Sequence, residues 1–207
     1  MRHVRIACVG DSITRGTFVM HRKTNAYPAQ LQAMLGDRYR VRNFGVNGHA
    51  AQRLADLPYW DSEAFAASSA FGPDIVLVML GTNDSRGGNW KGVDRFTADY
   101  RDMVAHYRSL GSNPDVWLLT PPSLFRVWRR KSALYGMDER AIREMCAAIG
   151  EVARELGCGL IDINAVTASH PEAFTFDGVH PGAAGAQLIA RTVFEALTAS
   201  APPASQL

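Results

Sequence analysis

Short apolar runs alternate with longer amphipathic segments along most of the chain. The run at 74–80 is continuous and rich in β-branched residues, which is typical of a strand that is buried on both faces. The pattern predicts strands at 2–9, 39–46, 74–80, 115–120 and 159–163. It predicts helices at 27–35, 93–110, 137–156 and 181–199. Gly157 is the expected C-cap of the third helix, and Pro181 is expected in the first turn of the last.

Strands that alternate with helices indicate a parallel sheet with helices packed on both faces. The sequence therefore predicts an α/β protein, a flavodoxin-like three-layer sandwich in which residues 1–199 form a single domain. The length of 207 residues suits one domain, and an apolar fraction of 47% supplies its core and excludes a disordered chain. The tail at 200–207 is expected to fray.

The charge balance gives no indication of a polyanionic partner. Lys and Arg number 22 against 20 Asp and Glu, so neither nucleic acid nor an anionic membrane is expected as the main partner. The longest uninterrupted apolar run, 75–80, is too short to cross a bilayer. The apolar stretch at the N-terminus is too short for a signal peptide, so the expected location is the cytoplasm.

Neither the cysteines nor the histidines are spaced for a disulfide framework or a metal site. Three cysteines are few and odd in number, and all lie in apolar stretches where small core residues are expected: Cys8, Cys146 and Cys158. Four histidines lack metal-ligand spacing to Cys, Asp or Glu: His3, His21, His106 and His170. The sequence therefore predicts no metal and no cofactor.

Small polar or glycine-rich turns follow the predicted strands. Open α/β sheets bind ligands beyond the carboxyl ends of their strands, so these turns are expected to meet at one edge of the sheet. The turns are 10–16, 47–49, 81–84 and 121–123, and a further one, 177–181, lies next to the last helix. Their convergence is stronger evidence for a site than any single turn.

Two of these turns supply a hydroxyl and a base with its orienting acid. A serine becomes a nucleophile when a base accepts its proton and a carboxylate orients that base. Ser12 follows the first strand, and His180 has Asp177 three positions before it in a glycine-containing turn. Asp162, on the last predicted strand, is a rival for the acid.

The same turns contain donors for the oxyanion of a tetrahedral intermediate. The backbone N–H groups of Ser12 and Gly48 and the side-chain amide of Asn83 suit this role. Gly48 has no Cβ, so its backbone can approach a substrate closely. The sequence thus predicts nucleophilic catalysis by Ser12 with an oxyanion hole.

Four blocks within these turns resemble, in order and spacing, the motifs of the SGNH, or GDSL-type, hydrolase superfamily. The blocks are GDSIT at 10–14, NFGVNG at 43–48, GTND at 81–84 and DGVHP at 177–181. The resemblance implies the SGNH hydrolase fold and ester hydrolysis without a cofactor. It implies that Ser12 is the nucleophile and that Gly48 and Asn83 are oxyanion donors. It also implies that Asp177 is the acid and His180 the base of the triad.

A longer string, LGTNDSRGGNW at 80–90, is similar to GDSL-type members associated with carbohydrate O-acetyl esters. The chain departs from the superfamily at Gly182, where many members have asparagine after His-Pro, and at His49, where small or hydroxyl residues are common. The first departure concerns the start of the last helix. The second leaves His49 either lining the site or facing solvent.

Two segments are expected at the rim of the site, 86–90 and 125–131. They offer Trp, Asn and Arg side chains, which suit sugars because apolar ring faces stack while hydroxyls need hydrogen-bond partners. Packing is an alternative for Trp90, and a solvated loop or a nucleic-acid patch is an alternative for 125–131. The expected substrate-binding residues are Asp11, Asn89, Trp90, Arg126 and Trp128.

The sequence as a whole predicts a serine ester hydrolase that acts on a small-molecule ester, the short-chain acetyl ester of a carbohydrate. A lysophospholipase or thioesterase acting on longer acyl chains is the alternative within this class. A non-catalytic small-ligand-binding module with 10–16 as an anion loop is a third reading, but this loop lacks the spacing of nucleotide-binding motifs. The sequence leaves the oligomeric state open.

Overall fold

The structure, a computed structural model, describes residues 3–126 and 135–199, so Trp128 and the tail at 200–207 lie outside the described residues. Its centre is a five-stranded sheet of order β2-β1-β3-β4-β5 in which every neighbouring pair is parallel. The predicted parallel sheet is confirmed. The strands are β1 (Val4–Gly10), β2 (Tyr39–Gly45), β3 (Ile75–Met79), β4 (Asp115–Leu119) and β5 (Gly159–Ile161).

Helices cover both faces of this sheet, and none among the described residues is long and apolar enough to span a bilayer. The α-helices are α1 (Ser12–Arg15), α2 (Arg22–Asn25), α3 (Tyr27–Leu35), α4 (Glu63–Ala70), α5 (Val93–Arg108), α6 (Glu139–Leu156), α7 (Ile163–Thr167) and α8 (Ala183–Ala199).

Successive residues of β3 face opposite layers, which explains its continuous apolar pattern. Val76 and Val78 pack in one core with buried residues of α5 and α6. Leu77 and Met79 pack in a second core with α3 and α8. The two cores, one on each face of the sheet, produce the predicted three-layer arrangement.

The apolar pattern missed α1, α2, α7 and the helix α4 that connects β2 to β3. α4 reads EAFAASSA, in which polar and apolar positions contrast too little to show a helical period. The start of α8 also differs from the prediction. This helix begins at Ala183, the Gly182 carbonyl accepts the N–H of Ala186, and Pro181 forms a bridge with Phe174. Pro181 is therefore not in the first turn.

The cysteines differ in burial. Cys8 is fully buried on β1, whereas Cys146 and Cys158 are partly buried against the core. Burial raises the pKa of Cys8 and of Cys146 to about 12, so both remain protonated thiols at neutral pH. The prediction of core cysteines is confirmed for Cys8 and holds in part for the other two. Gly157 caps α6 with a φ of 61°, as predicted.

The register of the sheet brings the polar turns together. Gly10, at the end of β1, pairs with Gly45 of β2 on one side and with Met79 of β3 on the other. The turns that follow these strands therefore start at the same level, beyond one edge of the sheet.

Candidate active site

Ser12 begins helix α1 directly beyond the end of β1. The Asp11 carboxylate caps this helix, because its Oδ1 accepts a hydrogen bond from a backbone N–H of the first turn at 2.9 Å. A side chain at Gly10 would overlap Thr14, so the abrupt passage from strand to helix requires glycine. This turn places Ser12 Oγ at 2.8 Å from His180 Nε2.

The turn that contains Asp177 and His180 holds the acid against the base. Asp177 Oδ1 accepts the backbone N–H groups of Val179 and His180, both at 2.9 Å. Asp177 Oδ2 lies 2.6 Å from His180 Nδ1. An ionised carboxylate can only accept a hydrogen bond, so Nδ1 holds the ring proton and Nε2 is left to accept the Ser12 proton.

The surroundings of Asp177 keep its carboxyl ionised. Burial by itself raises the pKa of Asp177, but hydrogen bonds from the His180 ring and from two backbone N–H groups hold that pKa well below its usual range. Tyr135 donates to Oδ2 at 3.2 Å, and Thr175 donates to Oδ1 at 3.0 Å. Both carboxylate oxygens therefore have several donors, and the imidazole has one orientation.

Asp162, the rival for the acid, is engaged elsewhere. Its Oδ1 accepts the hydroxyl of Thr120 at 2.8 Å and the backbone N–H of Ala165 at 3.1 Å, which makes it the N-cap of α7. The structure therefore pairs His180 with Asp177.

Both oxyanion-donor candidates from the later turns lie at one cavity with Ser12 and His180. This cavity has a volume of about 460 Å³. Gly48 lines it with a φ of 77°, in the left-handed region that favours glycine. Asn83 also lines it, and its Nδ2 donates to the backbone carbonyl of His49 at 3.0 Å, which ties the turn after β3 to the turn after β2.

Two buried carboxyls lie behind the cavity. Asp84 accepts the backbone N–H groups of Ala51 at 2.8 Å and Gln52 at 2.7 Å, so it fixes the loop that follows Gly48. Burial raises the pKa of Asp84 to about 7 and that of Asp11 to about 6. Asp84 was not among the predicted site residues, although it directly follows Asn83 in the turn after β3. In the described part of the chain, no three His, Cys, Asp or Glu side chains could hold a metal ion.

The residues predicted to bind substrate in 86–90, Asn89 and Trp90, make internal contacts and do not line the cavity. Asn89 is buried, and its Nδ2 donates to the Asp56 side chain at 2.8 Å and to the Asn83 carbonyl at 3.0 Å. Trp90 packs against Phe96 of α5 with ring centroids 5.8 Å apart, so it has the packing role that was the alternative to substrate binding. Within this segment Arg86 is the residue that lines the cavity.

Asp11 and Arg126 also lie away from the cavity lining. Asp11 is directed into the protein, with Oδ2 at 3.4 Å from Asn83 Nδ2. Arg126 is exposed and pairs with Glu139 at 3.0 Å. His49 turns its ring back to the Asn47 carbonyl at 2.9 Å and is not a lining residue either.

The mouth of the cavity is formed by residues that were not predicted to bind substrate, several of them apolar. Phe18 had no distinguishing signal in the sequence, because it begins a short apolar run with Val19 and Met20, and only the structure shows that its side chain is 51% exposed. Tyr135 and Met137 follow the basic segment and gave no signal. The lining residues beyond the predicted ones are Thr17, Phe18, Asn47, Arg86, Tyr135 and Met137.

Comparison with known proteins assigns the chain to a family. The model of the GDSL-like lipase/acylhydrolase family matches residues 8–188, a span that includes Ser12, Asp177 and His180. The chain belongs to this family. The resemblance found in the sequence blocks is therefore confirmed, and the family is one of carboxylic ester hydrolases.

Several proteins similar to this chain are esterases. An acetylxylan esterase from Xylanibacter ruminicola is 32% identical over 212 residues, which cover 94% of this chain and 43% of that protein. The chain thus spans less than half of this relative. Among solved structures, a carbohydrate acetylesterase from Sinorhizobium meliloti has a TM-score of 0.81 at 16% identity, covering 96% of this chain and 99% of its own. An aryl esterase from M. smegmatis has a TM-score of 0.76 at 18% identity, covering 94% and 98%. At these identities the two structures show the fold.

Proposed function

We propose that this chain hydrolyses carboxylic esters through an acyl-enzyme on Ser12, and that its natural substrate is an acetyl ester of a carbohydrate. One observation supports the catalytic half most strongly. Ser12 Oγ, the two His180 ring nitrogens and Asp177 Oδ2 form an unbroken chain with contacts of 2.8 and 2.6 Å. Nucleophile, base and acid thus stand in the order that nucleophilic ester hydrolysis needs.

Acylation begins when His180 Nε2 takes the Ser12 proton as Oγ attacks the ester carbonyl carbon. The carbonyl oxygen becomes an oxyanion in the tetrahedral intermediate. The backbone N–H groups of Ser12 and Gly48 and the Asn83 amide donate to it, which stabilises charge that the ground state lacks. Asp177 stabilises the imidazolium that forms at the same moment.

The intermediate collapses when the imidazolium returns the proton from Nε2 to the alcohol oxygen. The alcohol leaves, and the acyl group stays on Ser12. Water then repeats the sequence: His180 takes its proton, the hydroxide oxygen attacks the acyl carbon, and Ser12 Oγ departs with the proton from Nε2. Every proton transfer passes through one nitrogen atom, 2.8 Å from Oγ in the resting site.

The substrate proposal has separate support. The relative with 32% identity is an acetylxylan esterase, and one structure of the same fold is a carbohydrate acetylesterase. Asn89 and Trp90 make internal contacts, so these two residues do not support a sugar-binding rim. Within the string at 80–90, Asn89 nevertheless holds the backbone of Asn83 through a hydrogen bond to its carbonyl.

A second candidate is an ester with a longer acyl chain, because Phe18, Tyr135 and Met137 give the cavity an apolar mouth. A series of p-nitrophenyl esters from acetate to octanoate separates the two. If kcat/KM is greatest for the acetate ester, the result supports the acetylesterase. Each methylene held in an apolar groove adds at most about 0.8 kcal/mol, so a steady rise with length supports a lysophospholipase or thioesterase instead.

Ser12→Ala tests the mechanism itself. The variant is expected to fold normally and to lose roughly a thousandfold or more in kcat, because the nucleophile is gone. A fluorophosphonate should attach to Ser12 of the wild type and leave Ser12→Ala unlabelled, as mass spectrometry of the peptides will show. Ser169→Ala, at an exposed serine, is the matched control. Half of the activity remaining in Ser12→Ala would exclude this nucleophile. A wild type without labelling would favour the non-catalytic ligand-binding module.

A further inference from the structure

Two exposed phenylalanines lie beside the catalytic histidine. Phe18 is 51% exposed and Phe176 is 67% exposed, and their ring centroids are 5.3 Å apart. The Phe18 ring also meets the His180 ring edge-on, at 5.2 Å and an interplanar angle of 89°. Large apolar side chains that cluster on the surface at a cavity mouth mark a binding surface.

The backbone holds Phe18 in a conformation that phenylalanine rarely adopts. Its φ is 62°, in the left-handed region, where a non-glycine residue persists only if its surroundings impose the conformation. The residues on both sides are fixed. Thr17 donates to Asn47 Oδ1 at 2.7 Å, and Val19 is buried in the core. The fold therefore keeps this ring at the mouth despite the cost in backbone energy.

Phe176 reaches the same place from a different turn. The N–H of Thr175 donates to the His180 carbonyl at 2.8 Å, and the N–H of Gly178 donates to the Thr175 carbonyl at 3.0 Å. These bonds close the turn that contains the triad acid and leave the Phe176 side chain outside it. The aromatic pair is thus attached to both the nucleophile turn and the acid–base turn.

The position of His180 indicates which half of an ester this pair would contact. Nε2 returns its proton to the leaving oxygen, so that oxygen must come within hydrogen-bond reach of Nε2. Phe18 packs on the same imidazole ring. The pair therefore lies next to the alcohol half of the ester.

We infer that Phe18 and Phe176 form a subsite for the alcohol half, one that takes a ring with a flat apolar face. This inference rests on the proposed function, under which the ring is a pyranose whose C–H face packs on aromatic side chains. The two phenyl rings are inclined by 55°, so they offer two surfaces to one bound ring.

Selectivity between alcohols tests this subsite. The quantity measured is the kcat/KM for a mono-acetylated methyl xyloside divided by that for ethyl acetate. We expect this ratio to fall about fivefold or more in Phe176→Ala and in Phe18→Asn, since each loses one aromatic contact. Asparagine tolerates the left-handed backbone at position 18, so Phe18→Asn removes the ring while it keeps the turn.

Two further variants make the comparison specific. Phe176→Tyr keeps an aromatic ring and should retain the ratio. Leu160→Ala removes another exposed apolar side chain, on β5, and is the matched control. Benzyl acetate in place of the xyloside separates an aryl ring from a sugar ring. A fall confined to benzyl acetate would overturn the pyranose assignment.

Other outcomes overturn the inference as a whole. An unchanged alcohol ratio in both ring-removing variants would do so. A change in the ratio of ethyl butyrate to ethyl acetate would place the pair at the acyl half instead. Loss of a dimer in light scattering of Phe176→Ala, with the alcohol ratio unchanged, would assign the pair to an interface between copies. Ser12-dependent hydrolysis of ethyl acetate by the wild type tests the proposed function separately, so the two proposals can fail independently.

Discussion

At the scale of single residues, Asp177 and Asn83 each have more than one hydrogen-bond partner. Asp177 uses Oδ2 for the His180 ring and Oδ1 for backbone N–H groups of its own turn. Asn83 is held by the His49 carbonyl while its side chain lines the cavity. Groups fixed in this way need little reorganisation when charge develops in a transition state.

This arrangement predicts the effect of Asn83→Ala. The variant should lose on the order of 10²–10³ in kcat with a smaller change in KM, because the amide acts on an oxyanion that the ground state lacks. Steady-state kinetics on an acetate ester measure both constants. Asn25→Ala is the control, since it removes a side-chain amide that donates a 2.9 Å hydrogen bond to the Met20 carbonyl and does not line the cavity. A raised KM with kcat intact would make Asn83 a ground-state binding residue.

At the scale of elements, the position of Ser12 depends on how closely α1 packs against the end of β2. Gly45 ends β2, and a Cβ atom there would overlap the backbone nitrogen of Arg15 and lie 2.8 Å from the Asp11 carbonyl oxygen. The nearest atoms are all backbone atoms, so no flexible side chain could move aside to relieve the overlap. The contact between strand and helix is therefore made of backbone on both sides.

Gly45→Ala is expected to displace α1 and with it the nucleophile. Overpacking of this kind destabilises by about 1–3 kcal/mol, and a shift of about 1 Å in Ser12 lowers kcat on the order of 10²-fold. Thermal unfolding and kcat are the two measurements. Gly111→Ala serves as the control, because nothing lies within 4 Å of a Cβ at that position. Wild-type kcat in Gly45→Ala would contradict the packing argument.

At the scale of the whole molecule, the buried carboxyls couple stability to pH. Burial raises the pKa of Asp11 to about 6 and that of Asp84 to about 7, so the folded state binds these protons more tightly than the unfolded state does. The free energy of unfolding therefore falls as pH rises from about 4 to about 7. Asp177 acts in the opposite direction: its pKa is depressed, so its contribution is present above about pH 4 and is lost as pH falls further.

The melting temperature should accordingly be greatest in the acidic range and fall from about pH 4 to about pH 7. In Asp84→Asn this fall should be smaller, because one of the two titrating carboxyls is absent. Differential scanning fluorimetry across the pH range measures it, with the exposed Asp37→Asn as the control. Equal slopes in Asp84→Asn and the wild type would show that Asp84 does not titrate in this range.

The sequence by itself determined the layers of the fold and the chemistry at its edge. Apolar period and length suffice to predict the strands and long helices, because both depend on local patterns of burial. The turns of Ser12 and Asn83 follow β1 and β3 directly, so parallel order alone brings these two residues towards one edge. The turn of His180 lies beyond α7 and follows no strand directly, so tertiary packing decides its position. Helix α4 escaped this reasoning, since its alanine and serine residues give no amphipathic contrast.

Only the tertiary structure decided which side chains face the substrate. Asn89 and Trp90 follow two glycines in a turn that was expected at the rim of the site. In the structure, Asn89 is buried against Asn83, and Trp90 packs on Phe96. Phe18 is placed at the mouth by a φ of 62°, which the buried Val19 and the turn at Thr17 impose. Such directions depend on turn torsion angles and on contacts between residues distant in sequence, and no local periodicity encodes them.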